Sequence, residues 1–208
     1  MMEREDALPG AVADRHLDLG CGTVPRNPYG RARLFGVDIR PEGGSPDAVF
    51  RAANLTFDPI PFPDDAFASV SAFDFLEHVP RLMPGAEPRT TVFPFIRLMD
   101  EVWRVLAPGG TFWALTPCYP GAEAFVDPTH VNVITDRTHA YFCRTGGEEP
   151  RGCMYGFGGA FEALRAEWAI PELARTTAPL APMQEWRRKQ RARKGKLVYF
   201  LWELRALK

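Results

Sequence analysis

The feature that most constrains this chain is a pair of glycines, Gly20 and Gly22, that follows a short apolar stretch near the start of the sequence. The stretch from His16 to Leu19 is predicted to be a strand, and glycines directly after a strand let the backbone approach a ligand closely. Asp18 adds a carboxylate that can accept a hydrogen bond from a cationic ligand group. A lone Gly-x-Gly turn is equally consistent with a purely structural turn, so its meaning depends on the segments that follow.

Three later apolar segments are predicted to be strands, at 34–39, 48–53 and 68–73. The first carries Asp38 near its end, and doubly wound folds use an acidic residue there to accept hydrogen bonds from both ribose hydroxyls of an adenosine. Asn54 follows the second strand, and its amide offers a donor and an acceptor to an adenine edge. The segment 74–79 follows the third strand, at the sheet edge where ligands of open α/β sheets bind.

The second half of the chain contains one clear amphipathic helix. The period predicts a helix from Thr90 to Leu106, with Thr90 or Thr91 as its cap and its apolar face in the core. Strands are predicted at 111–116 and 197–202, the latter apolar on both faces as in the middle of a sheet. The pattern of 161–170 fits a strand or a helix, and the strand is favoured. The basic run 187–196 fits a solvated helix face, with contact to RNA, acidic lipid or a phosphorylated substrate as the alternative.

The composition indicates a single globular domain spanning 1–208, with 46% hydrophobic residues and a net charge of −1. This charge gives no overall bias towards nucleic acid. The four cysteines show no metal-ligand spacing, so free thiols in a reducing cytosol are expected. The charged start at 1–6 lacks the apolar core of a signal peptide, and no apolar run is long enough to span a bilayer. We therefore expect a cytoplasmic protein.

Taken together, four motifs resemble those of the class I S-adenosylmethionine-dependent methyltransferases. They are the glycine turn 18–23, the Val37-Asp38 strand end, the stretch 62–67 leading to Glu77-His78-Val79, and the segment 101–110. The resemblance covers roughly residues 15–117. It implies an α/β, Rossmann-like sheet of about seven strands, mostly parallel with an antiparallel last strand. It also implies S-adenosyl-L-methionine as cofactor and S-adenosyl-L-homocysteine as product.

The resemblance assigns cofactor contacts one by one. The methionine end of the cofactor would contact the glycine turn, and its amino group would contact the backbone near Phe73. The adenosine would contact residues at the ends of the strands predicted at 34–39 and 48–53. The residues so assigned are Asp18, Gly20, Gly22, Asp38, Ile39, Asn54, Leu55 and Phe73. Two features depart from the family pattern: Val24 replaces the third glycine, and the first two helices between strands are shortened or absent.

The acceptor side is expected in the irregular segment 118–151, read as a lid or insertion that forms one wall of the acceptor pocket. His78 and His130 are the candidate general bases, facing each other across the cleft, with Asp127 or Asp74 orienting one of them. Acceptor contacts are predicted for Asp74, Tyr119 and Asn132. A metal site from Asp127, His130 and His139 matches no established spacing, so no metal is predicted.

The predicted reaction is methyl transfer to oxygen or nitrogen of a small-molecule or glycan acceptor by in-line displacement. A nicotinamide-dependent oxidoreductase is the alternative enzyme, although Pro25 stands where its third glycine belongs. A protein that binds the cofactor without catalysis is the non-enzymatic alternative. Nucleic acid is the less favoured class of substrate. The sequence does not determine the acceptor or the oligomeric state.

Overall fold

The computed structural model describes residues 8–40 and 47–208. The charged N-terminal stretch 1–6 and most of the loop predicted at 41–47 lie outside the described residues. Seven strands form one sheet in the order β3-β2-β1-β4-β7-β9-β8. The strands are β1 Arg15–Leu19, β2 Arg33–Asp38, β3 Ala48–Ala52, β4 Phe67–Phe73, β7 Leu106–Pro117, β8 Phe161–Ala169 and β9 Tyr199–Ala206. A short hairpin of β5 Met83–Pro84 and β6 Thr91–Val92 lies apart.

The sheet is parallel except for β9, which pairs antiparallel with both β7 and β8. This confirms the predicted Rossmann-like sheet with an antiparallel last strand. The strand order reverses between β1 and β4, which pair directly. The carboxyl ends of β1, β2 and β4 therefore meet at a topological switch point, the usual ligand position in such sheets.

Gly36 in the middle of β2 determines how closely the glycine turn packs on the sheet. A Cβ at this position would lie 2.7 Å from Cys21 Sγ and 2.7 Å from Pro25 Cγ. Only a residue without a side chain leaves room for both neighbours. The loop after β1 can therefore cross closely over β2 and hold the turn against the strand end.

The main helix, α1, extends from Pro94 to Val105 and buries Phe95, Leu98, Met99 and Val102 against the sheet. The predicted threonine cap was wrong. Thr91 belongs to β6, Thr90 Oγ1 donates to the Glu87 carbonyl, and the helix begins with Pro94, whose fixed φ suits the first helical position. The chain passes from α1 directly into β7, which begins earlier than predicted.

Regular α-helix is otherwise sparse, with only α2 Glu123–Val126 and α3 Pro182–Arg193 besides α1 among the described residues. The described residues between β1 and β2, and between β2 and β3, contain no helix, which confirms the shortened first connections. The two prolines at positions 25 and 28 remove backbone donors that a helix would need.

Residues 187–193 of the basic run form the second half of α3, and the most buried of them, Arg188, packs the helix against the sheet. Arg188 is 7% exposed, pairs with Glu167 and Glu185 at 2.7 Å, and donates to the Trp168 carbonyl at 2.9 Å. These contacts fasten α3 to β8. Arg188 is therefore unavailable to an external anion, whatever the more exposed basic residues do.

All four cysteines are free, and Cys153 alone is exposed. In the parts of the chain described, no helix has both the length and the apolar composition needed to cross a bilayer.

Candidate functional site

The glycine turn is fastened to the end of β2 by its own backbone. Gly20 and Gly22 adopt φ values of +62° and +59°, which side-chain-bearing residues rarely adopt. The N–H groups of Gly20 and Cys21 donate to the Val37 carbonyl at 2.8 and 3.2 Å. The turn therefore projects from the switch point with little freedom to move.

Asp38 completes this connection. Its Oδ2 accepts from the Gly22 N–H at 2.9 Å, and its Oδ1 accepts from the Arg40 N–H and Nε, both at 3.1 Å. Partial burial alone would raise the pKa of the carboxyl, but the hydrogen bonds from Arg40 and Gly22 outweigh it and hold the pKa below its ordinary value. Asp38 is therefore an ionised acceptor at neutral pH.

A cleft of about 620 Å³ opens beside this carboxylate, a size that suits a small-molecule ligand. Seven of the residues singled out in the sequence line it: Gly20, Asp38, Ile39, Asn54, Leu55, Asp74 and His78. The side chain of Ile39 is 63% exposed, so it offers an apolar surface to a flat ring. Asn54 Oδ1 accepts from the Thr56 N–H at 3.2 Å, which shapes the loop after β3.

Asp18 lies beneath the turn, not in the lining of the cleft. It is 1% exposed, its Oδ1 accepts from Ser71 Oγ at 2.6 Å, and its Oδ2 accepts from the Arg26 N–H at 2.8 Å. Burial raises the pKa of this carboxyl to about 7. A direct contact of Asp18 with the cofactor stays a prediction, whereas its bond to Arg26 already orders the loop after the glycines.

Arg26 is a residue that the sequence reasoning missed. Its Nη1 donates to the Phe73 carbonyl at 2.9 Å and lies 4.0 Å from Asp74 Oδ2, and its guanidinium lies 5.0 Å from the centre of the Phe73 ring. It therefore places a cation at the end of β4, where the resemblance puts the methionine amino group. No spacing pattern marks it, because the loop path that brings it there depends on the packing against Gly36.

Val24, in place of the family's third glycine, causes no conflict. Its φ is not among the positive values of the described backbone, and its side chain is 67% exposed. Position 24 therefore needs neither the left-handed backbone nor the close approach that requires glycine.

The acceptor side contains a cluster of three side chains, Glu77, His78 and His130. One possible ligand atom from each lies within 4.8 Å of the others, and the two imidazole rings meet edge to face at 4.8 Å. The backbone fixes this arrangement, because the N–H groups of Val131 and Asn132 both donate to the Glu77 carbonyl at 2.9 Å. Glu77 and His78 are thus held as one unit with His130, 52 positions after His78 in the chain, and we call this unit the Glu-His-His cluster.

His78 is oriented by a short relay to Asp127. Thr129 Oγ1 donates to Asp127 Oδ1 at 2.6 Å and lies 3.0 Å from His78 Nδ1. The hydroxyl has one proton, which goes to the carboxylate, so Nδ1 of His78 must be the donor to Thr129. Hydrogen bonds from Thr129 lower the pKa of Asp127. The lone pair of neutral His78 is therefore on Nε2, and Asp127 acts on His78 through Thr129.

Glu77, used in the sequence only as part of a family motif, is the most buried member of the cluster. Its side chain is 2% exposed, and its Oε2 accepts from Thr116 Oγ1 at 2.9 Å. Its Oε1 is buried, has no hydrogen-bond partner in the described structure, and lies 4.0 Å from His130 Nε2. Burial raises the pKa of the Glu77 carboxyl to about 7.

Two acceptor-side predictions need correction. His130 is in contact with His78 and is not on an opposite wall, because its Nδ1 lies 3.3 Å from the Ala124 carbonyl of its own loop. Asn132 is 2% exposed and its amide is used internally by Arg81 and the Leu76 carbonyl, so it does not face a substrate. His139 stacks 6.0 Å from Phe200, away from the cluster, so the weighed Asp127, His130 and His139 set does not assemble.

The segment 118–151 contributes no residue to the lining of the first cleft and contacts His78 instead. Tyr119 is 54% exposed. The segment does line a second cavity of about 490 Å³, mostly apolar, together with the end of the β5–β6 region. Its aromatic and basic lining includes Arg81, Phe93, Arg137, Tyr141 and Tyr155.

Comparison with known proteins identifies the domain. Residues 17–114 match the family described as a methyltransferase domain. No curated protein matches the chain by sequence. Residues 17–114 of the chain thus match a methyltransferase domain. This match supports methyl transfer as the activity, and the nicotinamide alternative gains no support from it.

Solved structures agree on the fold. An S-adenosylmethionine-dependent methyltransferase from Mesorhizobium loti is 18% identical, with a TM-score of 0.53 over 95% of this chain and 93% of that one. A Haloferax volcanii protein solved with the Trm112 methyltransferase activator is 17% identical, with a TM-score of 0.56 over 97% and 86%. Geranyl diphosphate C-methyltransferase from Streptomyces coelicolor, in complex with Mg²⁺, geranyl diphosphate and S-adenosyl-L-homocysteine, is 16% identical, with a TM-score of 0.52 over 93% and 74%.

Proposed function

We propose that this methyltransferase transfers the methyl group to an oxygen or nitrogen of a small-molecule or glycan acceptor. The observation that carries the proposal is the double position of His78. It lines the cofactor cleft and also belongs to the Glu-His-His cluster. His78 is therefore an acid–base group that also lines the cofactor cleft. An acceptor that must lose a proton needs such a group close to the methyl donor.

The residues of the first cleft fit S-adenosylmethionine. The cofactor supplies a methyl group on a positively charged sulfur, which is already activated for displacement. Asp38 holds the ribose hydroxyls, and Ile39, Asn54 and Leu55 surround the adenine. Asp38 already accepts from Arg40, whose side chain is 65% exposed, so Arg40 can move aside for a hydroxyl donor at little cost. Arg26, beside the Phe73 carbonyl, suits the carboxylate of the methionine part.

His78 activates the acceptor in this proposal. The relay through Thr129 leaves the Nε2 lone pair free to draw the proton from a hydroxyl or ammonium group. The protein also has to align the reacting atoms, because an in-line displacement needs the nucleophile, the methyl carbon and the sulfur on one line. It also has to exclude water from the site.

A small acceptor is supported by the dimensions of the site. Both cavities are of small-molecule size. The second cavity is lined by aromatic side chains together with Arg81 and Arg137, and Arg81 is three residues after His78 in the chain. Such a lining suits a partly apolar acceptor or a sugar ring that stacks on aromatic faces.

Free thiols support a cytoplasmic location, as the sequence predicted.

The test is a methylation assay with labelled S-adenosylmethionine and a panel of hydroxylated and amino-bearing small molecules and sugars. His78→Gln should lower turnover about 10²- to 10⁴-fold while cofactor binding stays within about twofold. His139→Gln is the matched control, because His139 is stacked on Phe200 outside the cluster. Equal turnover in His78→Gln and the unmodified protein would remove His78 from the reaction.

A further inference from the structure

We propose that the Glu-His-His cluster is a binding site for a divalent transition-metal cation, with Glu77, His78 and His130 as its ligands. The set combines two imidazoles and one carboxylate, which are ligands that suit borderline cations such as Zn²⁺, Co²⁺ or Fe²⁺. The three groups come from two segments that are distant in the sequence, one with Glu77 and His78 and the other with His130. The hydrogen bonds from residues 131 and 132 to the Glu77 carbonyl hold these segments together.

Glu77 Oε1 and His130 Nε2 face each other 4.0 Å apart with no hydrogen bond between them. His130 Nδ1 lies 3.3 Å from the Ala124 carbonyl, which can only accept, so Nδ1 carries the proton in the neutral ring. The Nε2 lone pair is then free, and it lies 4.0 Å from Glu77 Oε1. That oxygen is buried and has no hydrogen-bond partner in the described structure. A buried pair of lone pairs is costly unless a positive species lies between them.

The outer contacts are those of a metal site. Each histidine has Nδ1 held by an oxygen, the Ala124 carbonyl for His130 and Thr129 Oγ1 for His78. Metal-bound histidines commonly donate their second ring N–H in this way, which fixes the tautomer and orients the ring. Glu77 is likewise held, because Thr116 Oγ1 donates to its other oxygen at 2.9 Å. Each of the three ligands thus has a partner that orients it.

The distances require little rearrangement. Bonds of about 2.0–2.1 Å to one tetrahedral ion place two ligand atoms roughly 3.3 Å apart. The Glu77 to His130 separation of 4.0 Å therefore has to close by less than one ångström, and the His78 ligand atom, which lies within 4.8 Å of the other two, has to approach them by at most about 1.5 Å. Rotation of side chains that are already oriented can supply this change.

Three protein ligands leave at least one coordination position, and His78 places it beside the cofactor cleft. This chemical role rests on the proposed function: a cation here lowers the pKa of an acceptor hydroxyl. The hydroxyl proton passes to solvent, the oxygen forms the new bond to the methyl carbon, and the carbon–sulfur electron pair returns to sulfur. With the cation bound, His78 therefore activates the acceptor as a ligand of the cation, whereas in the cation-free protein its Nε2 takes the proton.

Cation binding is measured without cofactor or acceptor, so that it is independent of methyl transfer. Chelator-treated full-length protein is titrated with Co²⁺, followed by its visible absorption, and with Zn²⁺ in competition. The expected result is one ion per chain with micromolar or tighter affinity and a spectrum that indicates nitrogen ligands. Glu77→Gln and His130→Asn should each weaken binding at least tenfold, and His139→Asn should not change it.

Two outcomes would overturn the proposal. One is the absence of Co²⁺ binding at millimolar concentration in protein that circular dichroism shows to be folded, which would leave a proton between Glu77 and His130. The other is binding that Glu77→Gln and His130→Asn leave unchanged, which would place the ion elsewhere. Glu77→Gln preserves shape, so it separates loss of a ligand from loss of folding. A protein that binds Co²⁺ but methylates nothing would refute the proposed function alone.

Discussion

Asp38 Oδ2 and the Gly22 N–H are joined by a hydrogen bond of 2.9 Å, so the predicted ribose acceptor and the glycine turn form one unit. Removal of this carboxylate should affect the adenosine part of the cofactor. We expect Asp38→Ala to weaken S-adenosylmethionine and 5′-methylthioadenosine equally, by about 1–3 kcal/mol, because both contain the ribose. Isothermal titration of both ligands measures this.

Arg40→Ala is the matched control for Asp38. Arg40 donates to the same carboxylate but is 65% exposed, so its removal frees an acceptor for the ribose. Affinity should be unchanged or tighter. An affinity that falls in Arg40→Ala and is kept in Asp38→Ala would reverse the roles of these two residues.

Arg26 should act on the other end of the cofactor. We predict that Arg26→Gln weakens S-adenosylmethionine about tenfold and leaves 5′-methylthioadenosine unchanged, because only the former carries the amino-acid carboxylate. The two titrations used for Asp38 provide the measurement. Equal losses for both ligands would indicate that Arg26 acts only by shaping the loop around the Phe73 carbonyl.

Gly20 is restricted by a neighbour and by its own backbone. A Cβ here would lie 2.4 Å from the Phe75 ring, and φ is +62°. Gly20→Ala should therefore lower the free energy of unfolding by about 1–2 kcal/mol and impair cofactor binding, since Phe75, which lines the cleft together with Gly20, has to shift. The double variant Gly20→Ala with Phe75→Ala removes the clash and keeps the strained φ, so it should recover only part of the stability. Full stability and binding in Gly20→Ala alone would contradict the prediction.

Local pattern was sufficient for the sheet and for seven of the residues that line the first cleft. Apolar runs located the strands, and the residues that follow β1, β2 and β3 are adjacent because parallel strands end at one edge. Glu77 and Arg26 were missed for a different reason. Their roles depend on loops whose paths are set by tertiary contacts, the packing on Gly36 in one case and the backbone bonds from residues 131 and 132 in the other.

The same limit explains Asn132 and the cap of α1. An exposed amide and a buried one have the same sequence pattern, and only the positions of Arg81 and the Leu76 carbonyl show that Asn132 is used internally. Thr91 was an equally good cap by sequence, but its pairing in the short β5–β6 hairpin leaves Pro94 to begin the helix.

The last prediction concerns a buried polar chain behind the glycine turn. His16 is fully buried, with Nδ1 2.8 Å from Ser69 Oγ and Nε2 2.9 Å from Ser71 Oγ, which in turn donates to Asp18. Burial lowers the pKa of His16 to about 3, and the positive charge of Arg31 acts in the same direction. The unfolded chain, with a pKa near 6.5, therefore binds a proton that the folded chain does not.

Stability from neutral His16 is fully present above about pH 6.5 and is lost as the pH falls towards 3. Between pH 7 and pH 5, His16 alone should reduce the free energy of unfolding by about 2 kcal/mol. His16→Gln cannot titrate, so this part of the slope should disappear. The Asp18 carboxyl, whose pKa is raised to about 7, has the opposite slope and is linked to His16 through Ser71, so the two proteins are compared in an Asp18→Asn background. Urea unfolding at the two pH values gives the comparison, and parallel changes in both proteins would show that His16 is not held neutral by its burial.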